Sequence, residues 1–594
     1  MESGFAPPRS EGLFSVIENH GDSLSNIARV HLNRGDMLMA QGSASEALYL
    51  IETGRLKVRR DGVELAEIGA GSPVGEISFF TGEPRTADVI AARDTVALRI
   101  TQDEYVAMCA RHTGLQPAIA RFLATRLAAT SARVRAEAVP PLARTIAVLP
   151  AGDAPLPNGF VEAMIAQSEG LKVSLSDART AIGDDLDDPA ATAWFNNLEQ
   201  DGRLVMFVVA PGEDDWGLRV LRQADQVLTV AKAGPVPPLS ALERAAADVV
   251  EESHRRLVIV HPEHRDWVSG TTDWLDSRPV FMHHHVAAGR TEDIARLARF
   301  LSGTARGLVA AGGGALGPLH TGTYEAFRQR DMQFDIYGGT SVGAAMCAAF
   351  AMGLTGDEID RRTGEIFVAG RALSTLTVPR YSLLDHTVFD HHLRKHYTDG
   401  LIEDLWYPYF AVSTDLSDNS QKVIRRGSVW RSIRASAAIP GALPPFFDGT
   451  GSMLADGGAM DNLPFRTMHE LKNGPNLLIS FAREGRQPFD VAYDKIPGRR
   501  PLLRRLFFPF GKRPPRVPGI VPVAMRTLLA RQAAQPLDIR AEDWLHRPTV
   551  PKGTGFMDWK KHHELYEGAR DEMGAILDDG TTVPAAFAAA LAEG

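Results

Sequence analysis

The sequence predicts three folded segments in series: an N-terminal β-roll with helices, a middle parallel α/β sheet, and a C-terminal α/β domain built around a glycine-framed serine. Three observations predict this. Short apolar runs separated by turns fill residues 28–100, as in a small roll or barrel. From residue 141 onward, β-type runs alternate with helical stretches, the pattern of a parallel sheet covered by helices. Gly339-Thr340-Ser341-Val342-Gly343 then sits between a strand-like run, Phe334–Tyr337, and a small-residue helix, Ala344–Phe350. A chain of 594 residues is too long for one core, and the segments are expected at 1–140, 141–300 and 301–594.

Bulk composition narrows the function. A net charge of −9 leaves no general nucleic-acid footprint. The two cysteines, Cys109 and Cys347, lie far apart, which suits a reducing compartment and a cytoplasmic location. Residues 1–30 hold no basic segment followed by a long apolar run, and no window approaches 18 apolar residues. Any membrane contact is therefore expected to be peripheral, at the inner face.

In the first segment, Val30-His31-Leu32 runs into Arg34-Gly35-Asp36, Ala47–Ile51 into Glu52-Thr53-Gly54, and Arg55–Val58 into Asp61-Gly62. The stretch Gly75-Glu76-Ile77 through Arg85-Thr86-Ala87 carries chemistry suited to a sugar phosphate. An Arg clamps phosphate bidentately, a Glu accepts from a ribose hydroxyl, and a helix start adds N–H donors. This stretch resembles the phosphate-binding cassette of cyclic-nucleotide-binding domains. The resemblance implies Glu76 on the ribose 2′-OH and Arg85 on the cyclic phosphate, with Gly75 and Thr86 beside them. Thr86 can also reach a guanine, so cAMP and cGMP both stay open as a regulatory ligand. The bland alternative is a roll that keeps its fold and binds nothing. Residues 103–137 read as helices, with Arg121, Arg126, Arg133 and Arg135 on a solvated face. No helix-turn-helix pattern follows, which disfavours a transcription factor of the cyclic-AMP-receptor type.

Pro140-Pro141 marks the next boundary. The β-type runs are Thr145–Leu149, Leu171–Leu175, Leu204–Val209, Gln226–Val230 and Leu257–Val260, a Rossmann-like pattern. The loop after the first run, Ala151-Gly152-Asp153-Ala154-Pro155, lacks G-x-x-x-x-G-K-[ST], so ATP or GTP hydrolysis is not expected. His283-His284-His285 suggests a metal, but neighbours on a strand point to opposite faces, so a structural or interface role is expected and no metal.

In the third segment, Leu308–Ala311 runs into Gly312-Gly313-Gly314-Ala315-Leu316-Gly317. Taken alone, this fits the dinucleotide fingerprint G-x-G-x-x-G, which needs an acid at the end of the next strand. Asp335 falls at the start of that strand, and its end carries Ser341. A glycine loop beside a G-x-S-x-G elbow suits acyl transfer better, with Gly312, Gly313 and Gly314 supplying an oxyanion hole. Downstream, Met453-Leu454-Ala455-Asp456-Gly457-Gly458 is a strand running into an Asp on a glycine turn. Together the three motifs resemble the signatures of patatin-like phospholipases. Ser413-Thr414-Asp415-Leu416, Ala435–Gly441 and Asn462-Leu463-Pro464 agree. The resemblance implies Ser341 as nucleophile and Asp456 as its base, without His or metal.

The order of the three segments is similar to that of the neuropathy target esterase group, which implies hydrolysis of lysophospholipid or phospholipid acyl esters. In that family the glycine loop ends A-[RK]-G; here Leu316 removes the charge but not the backbone donors. Either phosphate preference or rate is expected to differ from the family's, and a neutral ester joins the candidate substrates. His320, one turn into the following helix, is the rival base. Residues 495–516 mix Lys495, Arg499, Arg500, Arg504, Arg505, Lys512, Arg513 and Arg516 with Leu and Phe and no acid, as expected of an anionic bilayer surface or of a solvated loop. The competing reading of the whole chain is a catalytically weak, nucleotide-sensing scaffold at the membrane. Head group, acyl position and oligomeric state are not legible.

Overall fold

The computed structural model describes residues 27–111, 143–186, 189–199, 202–481, 491–502 and 537–592, with isolated positions at 116, 117, 119, 517, 523, 526 and 527. Most of the expected helical run 103–137, and positions 503–516 of the basic stretch, lie outside the described residues. The described residues fall into two compact units, one drawn from 1–264 and 273–302, the other from 265–272 and 303–594. The roll and the middle sheet thus share a unit, where the sequence suggested separate segments meeting at 140/141.

The roll consists of β1 (Ala28–Leu32), β2 (Met37–Met39), β3 (Ala47–Thr53), β4 (Arg55–Arg60), β5 (Val63–Gly69), β6 (Pro73–Val74), β7 (Asp88–Ala91) and β8 (Thr95–Thr101). They pair as two four-stranded antiparallel sheets, ordered β1-β8-β3-β6 and β2-β7-β4-β5. Alternation decides the core. Leu48 opposes Ile100 and Leu50 opposes Leu98, so all four point to one face and meet Phe79 there.

The middle sheet is parallel and six-stranded: β9 (Thr145–Pro150), β10 (Leu171–Val173), β11 (Val205–Val208), β12 (Gln226–Lys232), β13 (Arg255–His261) and β14 (Met282–Ala287), in the order β10-β11-β9-β12-β13-β14. Every residue of β9 is buried. Ile146 and Val148 enter the core on one face, Ala147 and Leu149 the core on the other, which is why this strand reads as a continuous apolar run. The histidines of β14 alternate likewise. His284 is buried against Phe300, while His283 and His285 share the other face, where His285 Nδ1 lies 3.0 Å from His261 Nε2.

Strand order reverses at β9, the place where open α/β sheets seat phosphates. Here the seat is filled from within. Gly152 N–H donates to Glu243 Oε2 at 2.8 Å, and the buried Glu243 pairs with buried Arg278 at 2.7 Å. Roll and sheet are joined inside this unit by ion pairs: Asp94 with Arg219, and Arg93 with Glu199, all buried, and Arg55 with Asp225 at 2.9 Å. Removing one partner of such a buried pair costs about 3–5 kcal/mol, because the other is left charged and dry.

The second unit holds an eight-stranded sheet: β15 (Gly307–Ala310), β16 (Ile336–Thr340), β17 (Tyr409–Asp415), β18 (Ser420–Ile424), β19 (Phe446–Phe447), β20 (Met453–Asp456), β21 (Asn476–Ile479) and β22 (Trp544–His546). The order is β19-β20-β17-β16-β15-β21-β22, with β18 also on β17. Strands β17, β16, β15, β21 and β22 run parallel, and β20 is antiparallel to β17. Residues 544–546 form one of its edges. Glycine in β16 has a packing reason, since a Cβ on Gly338 would lie 2.1 Å from the Phe410 ring.

Candidate active site

Ser341 follows β16 directly and caps the helix Val342–Ala351 with φ +56° and ψ −124°. For a residue with a side chain this is strained backbone, costing on the order of 1–3 kcal/mol. Two contacts hold it. The Ser341 N–H donates to Ser436 Oγ at 2.8 Å, and Ser436 Oγ donates to Val412 O at 2.5 Å, so the elbow is tied to β17. The flanking glycines allow the helix to press on β15: a Cβ on Gly343 would lie 2.1 Å from Ala310 O, and one on Gly339 2.6 Å from Gly343 C.

Strand register brings Asp456 to this serine. Thr340 at the end of β16 opposes Val412 on β17, and Ser413, the next residue along, opposes Asp456 on β20. The two ends are therefore level, two strands apart. Ser341 Oγ donates to Asp456 Oδ2 at 2.7 Å, and Asp456 Oδ1 accepts from Gly458 N–H at 2.8 Å. Both side chains are buried, Ser341 at 4% exposure and Asp456 at 1%. Burial pushes the Asp456 carboxyl from 3.8 up to about 6, against the two hydrogen bonds, which favour the carboxylate.

His320 is also buried but is turned to a different task. Its Nε2 lies 2.8 Å from Ala311 O, its ring packs 4.5 Å from Phe481, and burial lowers its pKa to about 4. It braces the root of the glycine loop. Asp335, the acid a dinucleotide site would need, accepts from Arg306 N–H at 2.8 Å. With Gly307 opposing Ile336, that places Asp335 at the strand end remote from the glycine loop.

The three loop glycines divide. Gly312 N–H donates to Asn462 O at 3.1 Å, so this residue, expected among the oxyanion donors, has its N–H engaged. The N–H groups of Gly313 and Gly314 make no hydrogen bond among the described residues. Val342 N–H, in the first turn of its helix, has no intrahelical acceptor. The loop is pinned by Ala315 N–H on Phe556 O at 2.8 Å, and a Cβ on Gly314 (φ +56°) would sit 2.5 Å from that oxygen. Leu316 packs with Leu319, Leu565 and Ala569 in a small apolar cluster.

A cavity opens beside Ser341 and Gly314, and its walls are mainly apolar, with Arg362, Thr363 and His396 among them. Met346 and Ala349 come from the helix behind the serine, Leu393 from the helix His386–Tyr397, and Ile439 from the segment after Ser436. Residues 364–369 form a π-helical turn that adds Ile366 and Phe367, and Phe367 stacks on Trp559 at 3.5 Å. Sequence reasoning missed Phe556, Trp559 and the cavity walls, because they belong to no motif. Ser436 lies inside the run Ala435–Gly441, but the role of its hydroxyl is not visible in the sequence.

In the first unit, Gly75 (φ +78°) caps the helix Glu76–Thr81, and a Cβ on it would lie 2.4 Å from Arg85 Nη1. Arg85 is buried and donates to Gly75 O at 2.9 Å and Ala47 O at 2.6 Å. Gly75, the half-buried Glu76 and Arg85 are thus gathered, while Thr86 is exposed beside them. Among the described residues no group of three or more His, Cys, Asp or Glu is arranged to hold a metal, and no helix is long and apolar enough to cross a membrane.

Comparison with known proteins matches each part. Residues 308–469 match the patatin-like phospholipase family model, 29–112 the cyclic nucleotide-binding domain, and 178–299 the neuropathy target esterase family P-loop-like domain. A patatin-like phospholipase domain-containing protein of Caenorhabditis elegans is 28% identical over 91% of this chain and 45% of its own length. Lysophospholipase NTE1 of Mycosarcoma maydis is 29% identical over 74% of this chain and 28% of its own. The neuropathy target esterase sws of Drosophila melanogaster is 26% identical over 88% and 41%. The chain spans less than half the length of each of these relatives.

Proposed function

We propose that this chain, a patatin-like phospholipase of the neuropathy target esterase type with a cyclic nucleotide-binding domain, hydrolyses acyl esters of lysophospholipids or phospholipids through a Ser341–Asp456 dyad. The observation that carries this is the 2.7 Å hydrogen bond from Ser341 Oγ to Asp456 Oδ2 beside an apolar cavity. Asp456 accepts the Oγ proton as Oγ bonds to the ester carbonyl carbon. The N–H groups of Gly313, Gly314 and Val342 face the oxyanion that forms. The proton then passes to the leaving alkoxide, which departs as the alcohol and leaves an acyl-serine. Water attacks the acyl-serine, gives its proton to Asp456, and the acid is released as Ser341 regains its proton. The acyl chain lies in the cavity. A cyclic nucleotide, cAMP or cGMP, occupies the cassette of Gly75, Glu76, Arg85 and Thr86 as a regulatory ligand.

A fluorophosphonate is expected to label Ser341 in the wild type, with turnover of lysophosphatidylcholine blocked in proportion. Labelling without any lipid turnover would favour the scaffold reading. The rate should also report Asp456. Its carboxyl must be ionised to accept the proton, and burial sets that transition at about 6. The kcat/KM on a monomeric ester is expected to rise about tenfold per pH unit below this point and to level above it. A profile flat from pH 4.5 to 8 would remove Asp456 as the base.

A further inference from the structure

A second feature of the catalytic unit points outward. Residues 376–384 form a short hairpin, with Leu376 bridged to Leu384 and Thr377 N–H donating to Leu383 O at 3.1 Å. From its base to its turn it exposes Leu376, Val378 and Tyr381, at 76%, 81% and 72%. Three such side chains within six residues form a concentrated apolar protrusion rather than the scattered exposure usual on a soluble surface. The same stretch carries two arginines. Between Glu365 and Asp385, which bound it, there is no acid, while Arg371 and Arg380 are present, and Arg380 lies over the Tyr381 ring at 5.2 Å.

The base of the hairpin belongs to the cavity. Leu373, just before it, lines the wall beside Leu443 and Ile439. Leu383 and Leu384 donate their N–H groups to Gly441 O and Ala442 O at 2.9 and 3.0 Å, and Leu384 packs on Ile439. The segment that carries the exposed side chains is thus rooted in the cavity's own wall.

We propose that the hairpin 376–384 is an interfacial anchor that inserts Leu376, Val378 and Tyr381 into a phospholipid surface containing anionic lipid, with Arg371 and Arg380 at the head groups. The chemistry selects the partner. Apolar tips, a ring with a polar end and flanking arginines match the layered apolar, interfacial and anionic character of a bilayer edge. The anchor rests on the lipid-ester reading of Ser341 for its purpose but not for its measurement.

The test uses the full chain carrying Ser341→Ala, so that vesicles stay intact, and vesicles of phosphatidylcholine with about one-fifth phosphatidylglycerol. The expected result is salt-sensitive flotation, reduced at least tenfold in the triple variant Leu376→Ser, Val378→Ser, Tyr381→Ser. With Ser341 restored, that variant should keep its Tm and its turnover of a short-chain monomeric ester while losing turnover of vesicle lipid. Arg371→Glu with Arg380→Glu should weaken flotation only when phosphatidylglycerol is present. Equal flotation of the triple variant and its parent would overturn the anchor, as would parallel loss of monomeric and vesicle turnover. If no ester is turned over by the wild type while flotation still depends on the hairpin, the dyad reading fails and the anchor stands.

Discussion

Asp456→Asn is expected to lower kcat on a monomeric acyl ester by about 10⁴-fold, with KM little changed. The loss falls on kcat because the carboxylate acts while the proton moves, not while the ester binds. Asn is isosteric and keeps an oxygen for Gly458 N–H, but its amide cannot take the proton of Ser341 Oγ. His320→Ala is the control, expected to stay within about tenfold of wild type, since His320 Nε2 is engaged with Ala311 O rather than with the serine. Residues acting as one device do not add, so the double variant of Ser341→Ala and Asp456→Asn should be no slower than the worse single one. Stability should move the other way. Burial raises the Asp456 carboxyl from 3.8 to about 6, so the native state gains up to about 3 kcal/mol when this group is protonated. That gain is fully present below pH 3.8 and is lost as pH rises through about 6. Asn carries no such titration, and at pH 8 the variant's Tm is expected at or above that of the wild type. Loss of activity in His320→Ala alone, with Asp456→Asn active, would reverse the assignment.

What could be read from the chain divides by range. The elbow was legible because its signal is local: strand, Gly339, Ser341, Gly343 and helix are contiguous, and each glycine answers a clash within a few residues of itself or on the neighbouring strand. Asp456 was legible as the acid of a glycine turn, and the family resemblance implies it as the base, but its approach to Ser341 depends on the register of β16, β17 and β20, which no local pattern states. Gly312 shows the limit. Its place in the glycine loop suggested a free donor, yet its N–H is taken by Asn462, 150 residues on. The cavity is equally long-range, drawn from helices whose apolar residues read as ordinary core. In the first unit the roll and sheet were legible as periodic runs, whereas the Asp94–Arg219 and Arg93–Glu199 pairs that join them were not, since isolated charges in a loop and a helix carry no marker of their partners.

Gly343→Ala should disable the site without touching either reacting side chain. Most helix positions welcome alanine over glycine by about 1 kcal/mol, so the sign here rests on space. The added Cβ would meet Ala310 O at 2.1 Å, Ala310 C at 2.6 Å and Ala311 O at 2.8 Å, all of them backbone of β15 and its loop. None can rotate away, so the helix Val342–Ala351 must move off the sheet. Overpacking of this kind costs about 1–3 kcal/mol and occasionally more, and rigid neighbours put this site at the upper end. The same movement carries Ser341 with it, because Ser341 caps that helix. A displacement of about 1 Å costs about 10²-fold in rate, and here the 2.7 Å bond to Asp456 is stretched as well. The variant is therefore expected to melt about 10 °C or less below the wild type, remain folded at 25 °C, and lose 10²-fold or more in both fluorophosphonate labelling rate and kcat/KM. Alanine at Gly441 (φ +78°), where a Cβ meets nothing within 4 Å, is the matched control outside the elbow. It should lose at most about 1–2 kcal/mol to backbone strain and keep its labelling rate, so equal damage at the two positions would show that the close packing of helix on β15 is not what places the serine.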